Sequence, residues 1–538
     1  YNCAIALCGG EILGVIPKTY IPTYHEFYEG RHFASAPQEC TEIMINGDYI
    51  SFGTDIIFES FHHEHLKIAV EICEDLWAPL PPSTKHCLNG ATLILNPSAS
   101  NDLTSKSDYR RLLVSSHSAR LICGYAYCNA GLGESTTDVV FSNHHIIAEN
   151  GTLLEESVQY ETGLIYSDID LDKLVSERIE MSTYETRNDH YHFIPFEIDT
   201  EDLELERYYN PYPFVPSDTE QRAMRCKEVF DIQMHGLIQR LKAAHIQKVV
   251  IGISGGLDST LALLVASMAY KKLGYPSQDI IAVTMPCFGT TSRTKNNALK
   301  MMEELKVTSL TVDITAAVKQ HFKDIHHDEN VHDVTYENSQ ARERTQVLMD
   351  IANQEGGIVI GTGDLSEVAL GWSTYNGDHM SMYAVNVSVP KTLVRYLVDY
   401  VSSLYKGQVL ETILQDVLDT PVSPELLPQE DDKIVQKTED IVGPYELHDF
   451  FIYHMVRFGD EPRKLYKKTK LAFKDKYDKD TIKKWLRLFY WRFFSQQFKR
   501  SCIPDGPKVG SVALSPRGDW RMPSDANVQI WLDEVERI

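Results

Sequence analysis

Residues 254–259, SGGLDS, are the types that bind phosphate groups in proteins. They follow the apolar run 249–253, which predicts a buried strand, and precede a predicted helix over 260–270. The glycines let the backbone approach a ligand closely, the serines add hydroxyl donors, and the first turn of a helix has unpaired N–H groups. No Gly-Lys-Ser/Thr follows, so this is not a Walker P-loop. The sequence therefore predicts a nucleotide phosphate site of another kind.

A second polar segment follows another apolar strand candidate, 358–362. The stretch 361–367, GTGDLSE, supplies two glycines, two hydroxyls and two carboxylates at the end of that strand. Mg²⁺ prefers few protein carboxylates, completed by phosphate oxygens and water. Each acid taken alone is more often a solvated loop carboxylate. The two segments together nevertheless predict Asp258 and Glu367 as magnesium ligands.

A cysteine and a lysine in the first half have the chemistry of a nucleophilic site. Cys73 lies just after the apolar run 68–72, and Lys18 follows the apolar strand candidate 12–17. A cysteine at a strand end is more often a small buried residue. A lysine close to it, however, can lower the pKa of the thiol and stabilise an oxyanion.

The hydrophobic pattern predicts strands that position both groups. From residue 249 onward a βαβα rhythm indicates parallel strands with helices on both faces, and ligands bind such sheets at the carboxyl ends of the strands. The strand candidates of the first half are 1–7 and 12–17, which form a hairpin, then 67–72, 91–95, 123–128, 139–148 and 163–168. Those of the second half are 249–253, 280–285, 310–314 and 358–362.

A proline-rich stretch divides the chain. Three prolines within 208–216 exclude a helix and indicate an extended connector, and a long helix is predicted over Thr219–Ala244. At 538 residues the chain is too long for one core. We predict a first domain over 1–195, a linker over 196–218 and a second domain over 219–538.

Composition excludes several classes of protein. The net charge of −24 argues against a nucleic-acid surface. No apolar stretch is long enough to span a bilayer, so no membrane partner is expected. The ten scattered cysteines indicate reduced thiols in a cytoplasmic protein. The basic, aromatic stretch 467–500 is interpreted as buried helix rather than as a nucleic-acid site.

The second half resembles the NAD synthetases. GISGGLDST, YENSQARERT, GTGDLSEVALGWSTYNGD and VPKTL match that family in order, and QQFKRS and ALSPRGDWRMPSD match its glutamine-dependent form. The resemblance implies that ATP and Mg²⁺ activate nicotinic acid adenine dinucleotide as an acyl-adenylate, which ammonia converts to NAD. Cys287 stands where another small residue such as serine is expected. By resemblance, ATP lies on Gly252, Ile253, Ser254, Gly255, Gly256, Leu257, Asp258, Ser259, Thr362 and Lys391, and the dinucleotide on Asn338, Glu367, Trp372, Asp378 and Lys499.

The first half resembles the nitrilase superfamily, whose Glu-Lys-Cys triad cleaves amides. The match is to the glutaminase domain of glutamine-dependent NAD synthetases, and NPSAS at 96–100 and GESTTD at 133–138 extend it. The resemblance implies that Cys73 attacks glutamine to form a thioester. Lys18 and the backbone N–H of Glu74 would hold the oxyanion, and Glu26 would support Lys18. Glutamine would be bound by Tyr24, Glu74, Ser100 and Lys106.

The resemblance also implies the fold class and the assembly. We expect an α/β protein, with a nitrilase-like α-β-β-α sandwich followed by a doubly wound parallel α/β domain, in a homo-oligomer with an internal ammonia tunnel. The family's general-base glutamate belongs to a segment before Tyr1, and the hairpin at residue 1 predicts a further strand upstream. We therefore expect an N-terminal truncation and impaired glutaminase activity in residues 1–538.

Other functions are weighed against the glutamine-dependent synthetase. One is an NAD synthetase that uses only ammonia in this truncated form, and another is a different adenylating amidotransferase or a tRNA-modifying relative. The nitrilase-like half and the negative charge disfavour the latter. A hydrolase of some other amide is disfavoured by the intact phosphate loop. A silent nucleotide-binding module is disfavoured because Cys73, Asp258 and Lys391 are all present.

Overall fold

A computed structural model describes residues 1–134, 137–198, 204–289, 292–420 and 438–538. Ser135 and Thr136 of the predicted 133–138 motif lie outside the described residues, as do residues 199–203 of the predicted linker. The chain forms two compact units, Tyr1–Arg207 and Tyr208–Ile538. Their boundary lies inside the predicted linker 196–218.

The first unit contains two sheets, ordered β1-β2-β4-β3 and β10-β9-β8-β7-β6-β5-β11. Its strands are β1 Cys3–Cys8, β2 Glu11–Pro17, β3 Thr41–Ile45, β4 Asp48–Phe52, β5 Ile56–Ser60, β6 Lys67–Val70, β7 Leu93–Ser98, β8 Gly124–Asn129, β9 Ile146–Glu149, β10 Thr152–Glu156 and β11 His192–Phe196. Its α-helices are α1 Glu74–Trp77, α2 Pro82–Leu88, α3 Lys106–Leu121 and α4 Leu171–Glu180.

The parallel strands β6, β7 and β8 form the centre of the seven-stranded sheet. Ala69 of β6 pairs with Ile94 of β7, and both side chains are fully buried beside Tyr125 of β8. β6 ends at Val70, three residues before Cys73, and β2 ends at Pro17, directly before Lys18. The two predicted catalytic residues thus both follow strand ends.

The second unit is built on a five-stranded parallel sheet in the order β14-β13-β12-β15-β16. Its strands are β12 Val249–Gly252, β13 Ile280–Thr284, β14 Thr308–Thr311, β15 Ile358–Gly361 and β16 Tyr383–Ala384. Its α-helices are α5 Thr219–Ala244, α6 Leu257–Leu273, α7 Ser292–Glu304, α8 Thr315–Asp324, α9 Val334–Glu355, α10 Leu365–Leu370, α11 Lys391–Leu404, α12 Val409–Leu418, α13 Thr438–Val442, α14 Tyr445–Phe458, α15 Pro462–Ala472, α16 Lys479–Ser495, α17 Gln497–Arg500 and α18 Gln529–Arg537.

The central strand β12 alternates between two apolar clusters, as expected for a sheet covered on both faces. Val249 and Ile251 pack with residues of α5, α6 and α11, whereas Val250 packs with residues of α8 and α9. β12 lies between β13 and β15, where the strand order changes direction. Ligands bind open α/β sheets at such a switch point, and the loops that follow β12 and β15 are the two predicted nucleotide segments. The α/β fold class is confirmed.

Four predicted strands differ from the structure, of which 91–95 is displaced to Leu93–Ser98. The prediction 139–148 is replaced by the shorter strand Ile146–Glu149, because Asn143 has a positive φ of 56° that interrupts a strand. Residues 163–168 form no strand, and Leu164 there is 88% exposed. The candidate 310–314 is displaced to Thr308–Thr311, because Ile314 instead precedes α8.

Most of the aromatic stretch 467–500 is helical, and most of its aromatic side chains are buried as predicted, but Trp491 and Phe498 are 45% and 42% exposed. Phe489, Tyr490 and Phe493 of α16 are fully buried and form part of one apolar cluster with α14 and α15. Among the described residues, no helix is both long and apolar enough to cross a bilayer.

Candidate active sites

Cys73 lies on a strained backbone turn between β6 and α1. Its φ of 49° and ψ of −99° are rare for a residue with a side chain. Strain of this kind costs about 1–3 kcal/mol and persists only where the surrounding structure holds it. The Cys73 N–H donates to the carbonyl of Pro97 and to Oδ1 of Asn96, both at 3.1 Å. The end of β7 therefore holds the backbone of the thiol residue.

The Lys18 ammonium offsets part of the effect of burial on the Cys73 thiol. Burial holds the pKa of the thiol above its ordinary value and the Glu29 carboxylate adds to this, whereas Lys18 and a hydrogen bond from the Ala99 backbone lower it in part. Lys18 is fully buried, and its Nζ lies 2.7 Å from Oε1 of Glu29. This arrangement provides a nucleophilic sulfur beside a fixed cation.

Asp75 connects the chain segments that contain Cys73 and Lys18. Its Oδ2 accepts from the N–H of Ile72 at 2.9 Å and of Thr19 at 3.3 Å, and its Oδ1 accepts from the N–H of Tyr20 at 2.8 Å. Asp75 is buried. One carboxylate therefore fixes the residue before the thiol and the two residues after the lysine.

The predicted glutamine-binding residues fall into three hydrogen-bonded groups in the first unit. Tyr24 donates to Oε1 of Glu74 at 2.7 Å. Lys106 donates to Oδ1 of Asn101 at 2.7 Å and lies over the ring of Trp77 at 5.4 Å. Ser100 is buried and accepts from Arg110 at 3.3 Å.

The prediction that Glu26 supports Lys18 is wrong. Oε1 of Glu26 accepts from Asn101 at 2.8 Å, and Glu29 is the carboxylate paired with Lys18. Both acids follow Lys18 in a segment whose only regular element is the 3₁₀ turn Glu29–Arg31, so no helical or strand period distinguishes them. Only the path of the loop selects Glu29.

In the second unit, the loop after β12 has a backbone that requires glycine. Gly255 has a φ of +90°, and a Cβ there would lie 2.2 Å from the carbonyl oxygen of Thr294. Ser254 Oγ accepts from the N–H of Gly256 at 3.2 Å, and Ser259 Oγ lies 3.2 Å from Ser254 Oγ. The hydroxyls thus order the turn, and α6 begins directly after it at Leu257 rather than at 260.

The Gly255→Ala variant is expected to lose about 1–3 kcal/mol of unfolding free energy. Alanine is strained at the φ of residue 255, and its Cβ must also displace the Thr294 carbonyl. It should also raise the KM for ATP. Thermal unfolding and ATP-dependent kinetics measure both effects. Gly274→Ala is a suitable control because Gly274 has a φ of +70° with nothing within 4 Å of its Cβ. Equal KM values for ATP in the two variants would contradict the role given to the loop.

Lys391 lies at the centre of three carboxylates at the ends of β12 and β15. Its Nζ lies 2.7 Å from Asp258 Oδ2, 2.8 Å from Asp364 Oδ2 and 3.0 Å from Glu367 Oε1. Burial alone would lower the pKa of Lys391, but the three carboxylates together raise it well above its usual value. Burial raises the pKa of Asp364 and of Glu367. The cluster contains more carboxylates than cations.

The carboxylates of this cluster fit a divalent cation. One oxygen from each of Asp258, Asp364 and Glu367 lies within 4.8 Å of the others. Oδ1 of Asp258 is buried and has no hydrogen-bond partner in the described part of the chain. Hard oxygen ligands of this number suit Mg²⁺, which takes its remaining ligands from phosphate and water. Asp258 and Glu367 were expected from the sequence, whereas Asp364 was not.

Asn386 is a residue that the sequence prediction missed. Its Nδ2 donates to the carbonyls of Asp258 and Thr362, both at 3.0 Å, and it is fully buried. It therefore joins the loop after β12 to the loop after β15. A buried asparagine between apolar residues in VNVSV was the one signal available in the sequence.

The residues predicted to bind the dinucleotide are only partly brought together. Glu367, Asp378 and Lys499 line one cavity of about 70 Å³ together with Thr362. Lys499 Nζ donates to the carbonyls of Gly371 and Ser373 at 2.8 and 2.6 Å.

The other two predicted dinucleotide residues are not among those that line this cavity. Asn338 accepts from Thr374 Oγ1 at 2.7 Å, and Thr374 N–H donates to Asp378 at 2.6 Å. The ring of Trp372 packs under the guanidinium of Arg492 at 5.1 Å. Asn338 is thus connected to the cavity through one threonine, whereas Trp372 packs against a basic side chain.

The chain is similar to known proteins along its whole length. Residues 230–480 match the sequence model of the NAD synthase family. The glutamine-dependent NAD(+) synthetase of Mycobacterium tuberculosis is 44% identical over 572 residues, which cover 100% of this chain and 84% of that protein. The chain belongs to the glutamine-dependent NAD(+) synthetases. The enzyme of this name from Mycobacterium leprae is likewise 44% identical, over 573 residues and 84% of its length.

More distant relatives bear the same name. The glutamine-dependent NAD(+) synthetase of Thermotoga maritima is 27% identical over 97% of this chain and 82% of its own length. The crystal structure of a glutamine-dependent NAD(+) synthetase from Cytophaga hutchinsonii aligns with a TM-score of 0.49 at 20% identity, over 100% of this chain and 84% of that chain.

Proposed function

We propose that this chain amidates nicotinic acid adenine dinucleotide to NAD, using ATP and ammonia released from glutamine. The observation that carries the proposal is the 44% identity to glutamine-dependent NAD(+) synthetases over the whole chain. The first domain, over 1–195, is proposed as the amidohydrolase, and the second, over 219–538, as the synthetase, with 196–218 as the linker. A homo-oligomer stays a prediction.

The geometry around Cys73 supports amide cleavage. The thiolate attacks the side-chain carbonyl of glutamine, and the developing oxyanion lies close to the Lys18 ammonium and the N–H of Glu74. The C–N bond breaks as the amide nitrogen takes up a proton and leaves as ammonia, and water then hydrolyses the thioester to glutamate and the free Cys73 thiol. A fixed cation beside a developing negative charge stabilises a transition state without reorganisation of solvent.

The geometry around Lys391 supports adenylation. The substrate carboxylate attacks the α-phosphorus of ATP and pyrophosphate leaves, so negative charge develops where Lys391 and the N-terminal N–H groups of α6 lie. Asp258 and Glu367, with Asp364 beside them, would hold Mg²⁺. The bound ion would neutralise phosphate charge. Ammonia then attacks the acyl-adenylate and AMP leaves.

The proposal is tested by comparing the two nitrogen donors. The purified chain, with Mg²⁺, ATP and nicotinic acid adenine dinucleotide, is expected to form NAD, AMP and pyrophosphate in equal amounts with ammonium. In Cys73→Ala the glutamine-dependent rate, whatever its size in the unmodified chain, should fall to background while the ammonium-dependent rate persists. Cys128→Ala, which removes an exposed thiol on β8, is the control. No NAD from a folded chain with either donor would refute the proposal.

A further inference from the structure

We propose that Glu71 is a positioning residue for the amidohydrolase reaction, acting through Tyr125 and Asn96 to hold Cys73 in its reactive backbone conformation. The inference rests on the proposed function of the first unit and extends it to Glu71 and Tyr125, which were given no role above, and to Asn96, which was described only as an acceptor for the Cys73 N–H. None of the three needs to touch glutamine.

An unbroken hydrogen-bonded chain connects Glu71 to Cys73. Tyr125 OH lies 2.5 Å from Oε1 of Glu71, Nδ2 of Asn96 lies 2.9 Å from Tyr125 OH, and the Cys73 N–H lies 3.1 Å from Oδ1 of Asn96. All the groups between the two ends are buried. The second oxygen of Glu71 accepts from the N–H of Ser83 at 2.8 Å, which fixes the carboxylate at the start of α2.

Burial raises the pKa of Glu71 to about 7, so its ionised form dominates only above neutral pH. In that form the Glu71 carboxylate determines the direction of every bond in this chain. A carboxylate only accepts hydrogen bonds, so Tyr125 must donate its single proton to Glu71 and accept from its other neighbour. Asn96 must then present its NH₂ group to Tyr125, which leaves its carbonyl oxygen facing Cys73. That oxygen also accepts from Ser98 Oγ at 2.5 Å.

The orientation of the Asn96 amide matters because of the strain at Cys73. A reversed amide would place an NH₂ group against the Cys73 N–H, and two donors would then face each other in a buried site. The N–H of Cys73, whose φ is 49°, would lose one of its two acceptors. The other acceptor, the carbonyl of Pro97, belongs to the residue next to Asn96. The sulfur would move relative to Lys18, and a misplacement of this kind can cost about 100-fold in rate.

The test uses the Glu71→Gln and Tyr125→Phe variants and their double variant. We expect each single variant to lower kcat for glutamine hydrolysis by about 10- to 100-fold with little change in KM, because glutamine binding is untouched. The double variant should be no worse than the poorer single one, because both break the same chain. Alkylation of Cys73 by iodoacetamide, followed by mass spectrometry with exposed Cys128 as internal standard, should slow in parallel.

Matched controls separate positioning from general destabilisation. Glu149→Gln removes another buried carboxylate of the same sheet, paired with Lys173 and Arg207, and Tyr184→Phe removes the hydroxyl of a half-buried tyrosine. Both should lower the melting temperature yet leave the alkylation rate of Cys73 unchanged. Normal kcat and alkylation in Glu71→Gln, or additive losses in the double variant, would overturn the inference. If the unmodified chain hydrolyses glutamine too slowly for kcat to be measured, the alkylation rates alone decide the inference, whereas the proposed function is refuted only if neither ammonium nor glutamine gives NAD.

Discussion

The Lys391→Met variant is expected to lose about 100- to 1,000-fold of kcat for ammonium-dependent NAD formation, the loss typical of removing one preorganised group from a developing charge. Lys391 is the cation that contacts Asp258, Asp364 and Glu367 together. Its removal would leave negative carboxylates to face the phosphates of ATP. Both binding and adenylation should therefore fail.

The same variant should change how stability depends on pH. An acid whose pKa is higher in the folded than in the unfolded state binds protons more tightly when folded, so stability declines as the pH rises through that window. Burial already raises the pKa of Glu367 and of Asp364, and loss of the Lys391 charge raises both further. The difference in melting temperature between the unmodified chain and Lys391→Met should therefore grow between pH 6 and pH 8.

The measurement is NAD formation with saturating ammonium, together with thermal unfolding at both pH values. Lys248→Met is the matched control, because Lys248 is paired with Glu355 at 2.6 Å on the surface of the same unit. It should retain full activity and show little change of stability with pH, since exposed ion pairs contribute about 0–1 kcal/mol. A Lys391→Met enzyme with more than a tenth of normal kcat would show that the cluster is not at the reacting phosphate.

The phosphate loop was predictable from the sequence because its determinants are local. An apolar run, two glycines and a helix start are adjacent in the chain. The neighbouring parallel strands were likewise predictable from local apolar runs that alternate with helical segments. The structure moves the boundaries by only a few residues, with β12 at Val249–Gly252 and α6 starting at Leu257. Even the buried aromatic helix α16 follows from its own composition.

The residues that complete the sites were not predictable, because their partners are far away in sequence. Asp449 of α14 accepts hydrogen bonds from the N–H and the hydroxyl of Thr392, at 2.9 and 2.6 Å. It also accepts from the Ser366 hydroxyl, whose oxygen in turn accepts from the N–H of Lys391. It thereby fixes the start of α11 from 57 residues away. No periodicity or motif distinguishes such an aspartate from a surface acid until the tertiary fold buries it.

The error at Glu26 has the same cause, because only the folded path of the loop selects Glu29 as the partner of Lys18. The second prediction concerns this lysine and uses the variant Lys18→Met. We expect this variant to lose about 100-fold or more of the glutamine-dependent rate, because the developing oxyanion loses its cation. The alkylation of Cys73 should also respond. The Lys18 charge lowers the pKa of the thiol against the effect of burial, so its removal raises that pKa and shifts the alkylation curve toward higher pH.

The structure separates this outcome from simple unfolding. Lys18→Met leaves the backbone contacts of Asp75 to Thr19 and Tyr20 intact, so the loop can keep its path. NAD formation from ammonium should remain normal, and Lys85→Met, which breaks the pair with Asp55 in the same unit, should alter neither rate. An alkylation curve unchanged in Lys18→Met would show that Lys18 does not act on the thiol. The Glu29 carboxylate raises the pKa of the Cys73 thiol, so Glu29→Gln should shift the alkylation curve toward lower pH. Glu26 is paired with Asn101 instead, so Glu26→Gln should shift the curve less.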